Sequence, residues 1–212
     1  MNSPLRSGHF EETTRLKQAM AGDLHAFNQL VLHYQNAAYS QAYALLGDSD
    51  ASEDVVQESL IKAFQAISSY RGGSFRSWLL RIVTNSAYDM MRRVRRHPNQ
   101  SLFPVDENGE EIESVSWLQD PSVSVENAVE QNELSAAIYE LLDTLPPAHR
   151  SVITLIDINE LDYTEAAAVL GVPLGTVKSR LARARLQMQE KLSQYFDRAK
   201  NLSGIDARIE NE

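Results

Sequence analysis

The feature that most constrains the fold is a long acidic segment near the middle of the chain. Residues 98–135 contain nine acidic side chains and no Lys or Arg. They also include three prolines, an Asn108-Gly109 turn signal and little apolar periodicity. This composition is typical of a linker rather than of a packed element. We therefore predict two small domains on either side of it instead of one continuous core.

The predicted boundaries follow from this segment and from the polar C-terminal end. They are an N-terminal domain at residues 10–97, a linker at 98–131, a C-terminal domain at 132–195 and a flexible tail at 196–212.

The acid excess of the protein is local. The 212-residue chain has a formal net charge of -9, from 29 acidic and 20 basic residues. Outside the acidic segment, acids and bases are equal in number, with twenty of each. The negative net charge of the whole chain is therefore compatible with nucleic-acid binding by the two domains.

Both flanking regions show helical rather than strand periodicity, so the predicted class is all-α. Gly and Pro residues separate the apolar-periodic segments in each half. In the first half the expected helical segments are residues 13–46, 52–67 and 74–96. In the second half they are 132–142, 149–158, 162–170 and 175–195.

Composition excludes several other classes of protein. The chain has no cysteine, and its five histidines show no metal-ligand spacing, so we expect no disulfide, metal site or cofactor. It contains no apolar run of about 18 residues that would span a bilayer. Residues 1–10 also lack the apolar stretch of a signal peptide, so we expect a cytoplasmic protein without membrane insertion.

The C-terminal domain has the pattern of a helix-turn-helix. Asp162 and Glu165 have the spacing of a capping box at the start of a short Ala-rich helix. Gly171 and Pro173 then form a three-residue turn with Val172 before the next helix. Small residues in the first helix would allow the second to approach closely, as this motif requires.

The second helix of this motif begins with "GTVKSRLARAR", residues 175–185. A helical wheel places Val177, Leu181, Ala184 and Met188 on one buried stripe. Ser179, Ala182, Arg183 and Leu186 then point away from the core, and the shoulders carry Thr176, Lys178, Arg180 and Arg185. This arrangement suits a recognition helix, in which outward residues reach base edges and shoulder cations neutralise phosphates. The alternative is a solvated basic face, which the capped helix and the turn disfavour.

Residues 74–96 combine six arginines with aromatic side chains and one acid, Asp89. Such a combination suits single-stranded or distorted DNA, because aromatic rings stack on bases and guanidiniums hold the backbone. Core packing is the favoured interpretation for Phe75 and Trp78. For Tyr70 and Asn85, core packing and DNA contact are equally supported by chemistry alone.

A third surface is polar rather than basic. Asp54, Gln57 and Glu58 fall at i, i+3 and i+4 on one helical face. Two carboxylates at this spacing are compatible with acid–base chemistry or a metal, but no further ligand accompanies them. A protein-docking face and a merely solvated face are the remaining interpretations.

Two long segments in this order resemble the extracytoplasmic function group of bacterial sigma factors. "SEDVVQESLIKAFQAISSYRGGSFRSWLLRIVTNSAYDMMRR" is similar to the family's polymerase-binding and minus-ten segment. "LPPAHRSVITLIDINELDYTEAAAVLGVPLGTVKSRLARAR" is similar to its minus-thirty-five domain. The similarity covers roughly residues 16–194. It implies a non-enzymatic factor that binds core RNA polymerase and promoter DNA, with no small-molecule substrate.

The resemblance also implies roles for individual residues. Expected contacts with the clamp of the largest polymerase subunit are Asp54, Gln57 and Glu58. Expected minus-ten contacts are Tyr70, Arg71, Gly72, Arg81, Asn85, Tyr88, Arg92 and Arg93, with Asn85 and the loop at residues 70–74 capturing a flipped base. Expected minus-thirty-five contacts are Thr176, Lys178, Ser179, Arg180, Ala182, Arg183 and Arg185. Ala182 replaces a bulkier residue found in some members, so it would at most touch a thymine methyl.

Three further questions stay open on sequence alone. The acidic linker would either mimic RNA in the polymerase channel or act as a solvated tether. Family members are often held by an anti-sigma factor that covers both DNA-binding domains, and the sequence neither requires nor excludes one. The rival functions are an ordinary helix-turn-helix regulator with a helical sensor domain and a carboxylate-based enzyme.

Overall fold

A computed structural model describes residues 4–96 and 137–209, with side chains at 12–96 and 137–196. Within these ranges the chain is helical and contains no strand, as the all-α prediction requires. The linker predicted at 98–131 lies outside the described residues. The helices are α1 (Pro4–Met20), α2 (Leu24–Leu46), α3 (Ser49–Ala66), α4 (Phe75–Arg96), α5 (residues 137–143), α6 (Pro147–Ile153), α7 (Tyr163–Leu170) and α8 (Leu174–Ile209).

Helix boundaries in the N-terminal domain follow from local capping. Asp23 and Asp48 precede α2 and α3, and each carboxylate accepts a backbone N–H bond from the first turn of its helix. Gly47 ends α2 in the left-handed conformation, with φ of 69°, which glycine adopts without a steric cost. The short connection Gly47-Asp48 thus ends one helix and starts the next.

The core of the N-terminal domain forms where α1, α2, α3 and α4 face one another. One cluster contains Phe27, Leu30 and Leu79, and a second contains Leu45, Val55 and Val83. The side chains of α4 pack into both clusters. Helix α4 therefore packs into both core clusters of the domain, while its arginine-rich side remains at the surface.

The C-terminal domain encloses another cluster, contributed mainly by residues of α5 to α8. Val177, Leu181, Ala184 and Met188 of α8 are all buried in it, which confirms the predicted apolar stripe. The capping box is also confirmed. The Asp162 carboxylate accepts bonds from Thr164 N and Glu165 N at 2.7 and 2.8 Å, and Glu165 accepts one from Asp162 N at 3.2 Å.

The last helix is longer than the sequence predicted. Helix α8 continues to Ile209, through most of the segment expected to be a flexible tail. No proline follows Pro173, so nothing in the sequence forces the helix to stop at Tyr195. At the other end, α1 begins at Pro4, before the boundary predicted for the first domain.

The two domains contact each other directly. The side chain of Gln41 in α2 donates a 2.8 Å hydrogen bond to Ser151 in α6, and Ser77 in α4 donates one of 3.0 Å to Glu165 in α7. Leu80 of α4 is part of the cluster that forms the core of the C-terminal domain. Helix α7, the first helix of the helix-turn-helix, therefore lies beside the inner face of α4.

We predict that Asp162→Ala destabilises the protein by about 1 kcal/mol, because two N–H groups at the start of α7 lose their acceptor. Thr164→Ala is the matched control, since it changes an exposed side chain in the same turn and keeps the cap. Urea unfolding followed by circular dichroism measures both. Equal stability of the two variants would contradict this account of the cap.

Candidate nucleic-acid interface

The outward face of α8 is formed by short and basic side chains. Ser179, Ala182 and Arg183 are exposed on the side opposite the buried stripe, and Lys178 is exposed on the shoulder beside them. No intramolecular ion pair is recorded for Arg183 among the described residues. Small neighbours on either side leave the Arg183 guanidinium room to enter a groove. The structure thus brings together the residues predicted to face base edges.

Two shoulder cations of α8, Arg185 and Lys178, have intramolecular partners that the sequence did not predict. Arg185 forms a two-pronged ion pair with Asp157, with N–O distances of 3.0 and 2.5 Å. The hydrogen bond to that carboxylate raises the pKa of Arg185. Lys178 lies 6.0 Å above the ring of Tyr163, and Arg180 is half-buried. Thr176, also half-buried, lies in the first turn of the helix.

The basic surface of the N-terminal domain lies on α4. Arg81, Asn85, Arg92 and Arg93 are exposed on this helix. Arg92 is paired with Asp89, and this hydrogen bond lowers the pKa of the Asp89 carboxyl. Because the Arg92–Asp89 pair is exposed to water, it contributes little stability. The Arg92 guanidinium can therefore exchange the Asp89 carboxylate for a phosphate.

Tyr70 occupies a core position rather than the wall of an open pocket. Its side chain is 7% exposed, and the ring packs against Phe75 and Trp78. The hydroxyl donates a 2.7 Å bond to the Gly73 carbonyl oxygen. In this conformation Tyr70 has no face available for a base, and its effect is to fix the loop that follows. Core packing, one of its two interpretations, is the one the structure shows.

The loop itself is open to solvent. Arg71, Gly72 and Gly73 are exposed, and the two glycines have φ of 93° and 98°. A side chain at either glycine would be strained by the backbone alone, although no atom lies within 4 Å of the position a Cβ would take. The loop therefore requires glycine for its backbone shape and presents main-chain atoms beside α4.

Tyr88 was expected to share the exposed face with Asn85, but it turns toward the C-terminal domain. Its hydroxyl lies 3.4 Å from the Pro147 carbonyl oxygen, to which it donates. Burial raises the pKa of the Tyr88 phenol, while a hydrogen bond with Ser151 and the charges of Arg180 and Arg150 oppose that rise. Tyr88 is thus an interdomain contact in this structure.

The third predicted surface lies on α3. Asp54 and Gln57 are exposed, and Glu58 forms a 2.7 Å ion pair with Lys62. Ile61 continues the same helical face and is 60% exposed. Other apolar side chains are similarly exposed, for example Leu32, so Ile61 fits a docking surface through its polar neighbours on the same face rather than through its exposure alone.

The described residues offer no alternative site based on a metal. Among the side chains described, at 12–96 and 137–196, no three His, Asp or Glu residues lie close enough to share a cation. None of the helices in these ranges is long and apolar enough to cross a membrane.

Comparisons with known proteins place both halves of the chain in one family. Residues 30–97 match Sigma-70 region 2, and residues 135–188 match Sigma-70 region 4. The ECF RNA polymerase sigma-E factor of Salmonella typhimurium is 36% identical over 179 residues, which cover 84% of this chain and 92% of that protein. The chain belongs to the ECF group of RNA polymerase sigma factors. It is a sigma factor for transcription initiation.

Other relatives of this sigma factor differ in length. The ECF sigma factor SigE of Mycolicibacterium smegmatis is 36% identical over 170 residues, which cover 80% of this chain and 63% of that protein. This sigma factor therefore spans less than two thirds of the mycobacterial relative. The matched regions fall inside the two domains predicted from sequence.

Two solved structures resemble this sigma factor over most of its length. CnrH, solved in complex with the cytosolic domain of CnrY, aligns with a TM-score of 0.61 at 25% identity and covers 87% of this chain and 98% of its own. The sigma factor RpoE of Bartonella quintana, solved with the anti-sigma factor NepR, aligns with a TM-score of 0.59 at 32% identity, covering 79% and 96%.

Sequence reasoning missed two features of this sigma factor's surfaces. Ile61 follows Gln57 and Glu58 at i+4 and i+3, so the helical wheel already placed it on their face. The turn of Tyr88 toward the second domain carried no local signal, because it depends on contacts between segments about sixty residues apart.

Proposed function

We propose that this sigma factor binds core RNA polymerase, recognises the minus-thirty-five and minus-ten promoter elements, and promotes melting of the duplex. The observation that carries the proposal is the presence of two exposed arginine-bearing helices, α4 and α8, on separate domains of one chain. A third exposed face, on α3, combines polar side chains with the apolar Ile61 and binds the protein partner. The protein has no role as an enzyme, takes no small-molecule substrate, and acts in the cytoplasm with polymerase.

Recognition of the upstream element is assigned to α8. The exposed Arg183 guanidinium can donate two parallel hydrogen bonds to a guanine in the major groove. Lys178 and Ser179 flank it at the start of the helix, and Ala182 adds a methyl-sized apolar contact. Thr176, Arg180 and Arg185 then provide phosphate contacts, with Arg185 exchanging Asp157 for DNA.

Recognition and melting of the downstream element are assigned to α4 and the loop before it. Asn85 is exposed between Arg81 and Arg92, so its amide can bond the edge of an unstacked base while the arginines hold the strand. Tyr70 keeps the adjacent Arg71-Gly72-Gly73 loop in place from within the core. A preformed site of this kind offsets the few kcal/mol of unstacking for the right base.

Core polymerase is the partner assigned to the α3 face. Asp54 and Gln57 provide exposed polar groups, and Ile61 provides an apolar anchor beside them. Apolar anchors surrounded by polar groups commonly dominate the affinity of protein interfaces. The expected partner surface is the clamp of the largest polymerase subunit, as the family resemblance implies.

An anti-sigma factor is a further expected partner. The two structural relatives described above were solved with the cytosolic domain of CnrY and with NepR. By analogy, an inhibitory partner would cover the surfaces of both domains here. The acidic linker lies outside the described residues. Its two expected roles, an RNA mimic in the polymerase channel and a solvated tether, are those given by the sequence.

We predict that Arg183→Ala relaxes sequence preference in the upstream element at a cost of about 1 to 3 kcal/mol, because the two bonds to guanine are lost. Transcription by the reconstituted holoenzyme from a library of upstream sequences measures this preference. Arg185→Ala is the control, and it should weaken all sequences alike. Unchanged preference in Arg183→Ala would remove that residue as a base reader.

Asn85→Ala should slow promoter opening more than it weakens initial binding, because the base contact forms only after unstacking. Gel shifts at low temperature report initial binding, and permanganate reactivity of unpaired thymines reports opening. Asn28→Ala, an exposed change on α2 outside the three proposed surfaces, is the control. A parallel loss of binding and opening would count against base capture by Asn85.

Ile61→Ala should weaken core polymerase binding about tenfold, because a central apolar anchor is truncated. The exposed Leu32 of α2 supplies the matched control, Leu32→Ala, which should leave polymerase affinity unchanged. Fluorescence titration of labelled sigma factor with core polymerase measures both. Equal effects of the two changes would show that the α3 face is not the docking site.

A further inference from the structure

A row of four alternating charges runs from the polar face of α3 to the arginine-bearing side of α4. Its members are Glu58, Lys62, Asp89 and Arg92. Lys62 Nζ lies 2.7 Å from a carboxylate oxygen of Glu58, one turn earlier on α3. On α4, Arg92 is paired with Asp89. Each ion pair lies within one helix, so a further contact is needed to connect the two helices.

A hydrogen bond from Lys62 makes this connection. Its Nζ atom donates to Ser86 Oγ at 3.1 Å while it is also paired with Glu58. Ser86 is 5% exposed and follows Asn85 directly on α4. A lysine ammonium has three donors, so it can bind the hydroxyl and a carboxylate at the same time. The Ser86 hydroxyl therefore holds the Lys62 ammonium against α4.

This contact brings Lys62 close to Asp89. Ser86 and Asp89 are three residues apart on α4, so their side chains share one face of the helix. The hydrogen bond from Arg92 is the main cause that lowers the pKa of the Asp89 carboxyl, and the positive charge of Lys62 lowers it further. The Asp89 carboxylate therefore interacts with two cations, one from each helix.

Both ion pairs are open to water and can exchange partners. The side chains of Glu58 and Lys62 are each 42% exposed, and those of Asp89 and Arg92 are 49% and 61% exposed. Ion pairs of this kind contribute little stability. Lysine also has a flexible stem, so its ammonium can move between neighbouring carboxylates without a change in the backbone.

The state of Asp89 decides how well Arg92 can hold a DNA strand. While Arg92 donates to Asp89, its guanidinium has fewer donors for a phosphate. The Asp89 carboxylate also repels a phosphate that approaches this side of α4. A second cation on Asp89 reduces both effects, because it competes with Arg92 for the carboxylate and offsets its negative charge.

We propose that Lys62 is a positioning residue for promoter binding: by sharing the Asp89 carboxylate, it releases the Arg92 guanidinium to the DNA strand. This inference rests on the proposed function, in which Arg92 holds the strand beside Asn85 and Glu58 contacts polymerase. A cationic group of the polymerase at Glu58 then frees Lys62 for Asp89. The faces of α3 and α4 are thus linked through one side chain.

Titration of the Asp89 carboxyl tests the contact in the free protein. Lys62→Met should raise the pKa of Asp89, because a neighbouring cation favours the ionised form of a carboxyl. Carbon-13 NMR of aspartate-labelled protein measures this pKa. Lys17→Met removes an exposed lysine of α1 and is the control, which should leave the pKa of Asp89 unchanged. An unchanged pKa in Lys62→Met would overturn the proposal.

Strand binding by the holoenzyme tests the consequence for DNA. The probe is a single-stranded oligonucleotide with the minus-ten region of an active library template, at saturating core polymerase. Lys62→Met should bind it about fivefold more weakly than wild type, and the slope of log affinity against log salt should fall by about 0.7, as for one lost phosphate contact. Lys17→Met should change neither quantity.

A conservative variant tests whether the cation itself is what matters. Lys62→Arg keeps the positive charge and can still donate to the Asp89 carboxylate, so its strand affinity should be within about twofold of wild type. A loss in Lys62→Arg as large as that in Lys62→Met would contradict the proposed sharing of Asp89.

Asp89→Asn separates the positioning role from a direct DNA contact. The amide keeps the shape of the side chain but forms no ion pair, so Arg92 is released whether or not Lys62 is present. In the Asp89→Asn background, Lys62→Met should therefore change neither strand affinity nor its salt dependence. Equal losses in both backgrounds would show that Lys62 contacts DNA itself or supports the fold, and would refute the proposal.

Failure of this inference is distinguishable from failure of the proposed function. If wild-type holoenzyme bound no strand and opened no promoter, the proposed function would fail, and the Asp89 titration in the free protein would still test the Lys62 contact. If wild-type holoenzyme transcribed normally and Lys62→Met matched it in strand affinity and salt dependence, only the positioning role would be refuted.

Discussion

Helix α4 is the element on which the rest of the structure depends, because each of its sides has a different partner. One side fills both clusters of the N-terminal core through Phe75, Leu79 and Val83. A second side, with Leu80 and Ser77, contacts the C-terminal domain. The third carries Asn85 and the exposed arginines. A change in any of these contacts therefore alters how the arginine-bearing side is presented.

Charge distribution separates these roles along the chain. The acid excess is concentrated between residues 98 and 135, and the remaining chain is balanced. Basic helices can therefore face nucleic acid although the whole protein has a net charge of -9. The acids near the two arginine-bearing helices have specific partners, since Asp157 pairs with Arg185 and Asp89 with Arg92. In the proposed function these carboxylates are displaced by phosphate.

Local chemistry allowed much of this structure to be predicted. The Asp162–Glu165 capping box, the turn at Gly171 and the apolar stripe of α8 each depend on residues a few positions apart, and each was confirmed. The positions of Tyr70 and Tyr88 depend on distant segments. An amphipathic tyrosine suits both a core and a nucleic-acid surface, so its chemistry could not decide between them. The length of α8 was not predicted, because a polar C-terminal segment favours a frayed end although no proline there forces the helix to stop.

The most direct test of the account is run-off transcription with purified core polymerase and this sigma factor. Three kinds of template would be compared. One kind has both promoter elements intact, one has a single element scrambled, and one has both elements scrambled. The account predicts transcripts only when core and sigma factor are both present, with full yield when both elements are intact and a lower yield for each element that is scrambled. Specific binding of the free chain to a palindromic site, without any transcription by the reconstituted enzyme, would contradict it and would favour an ordinary helix-turn-helix regulator.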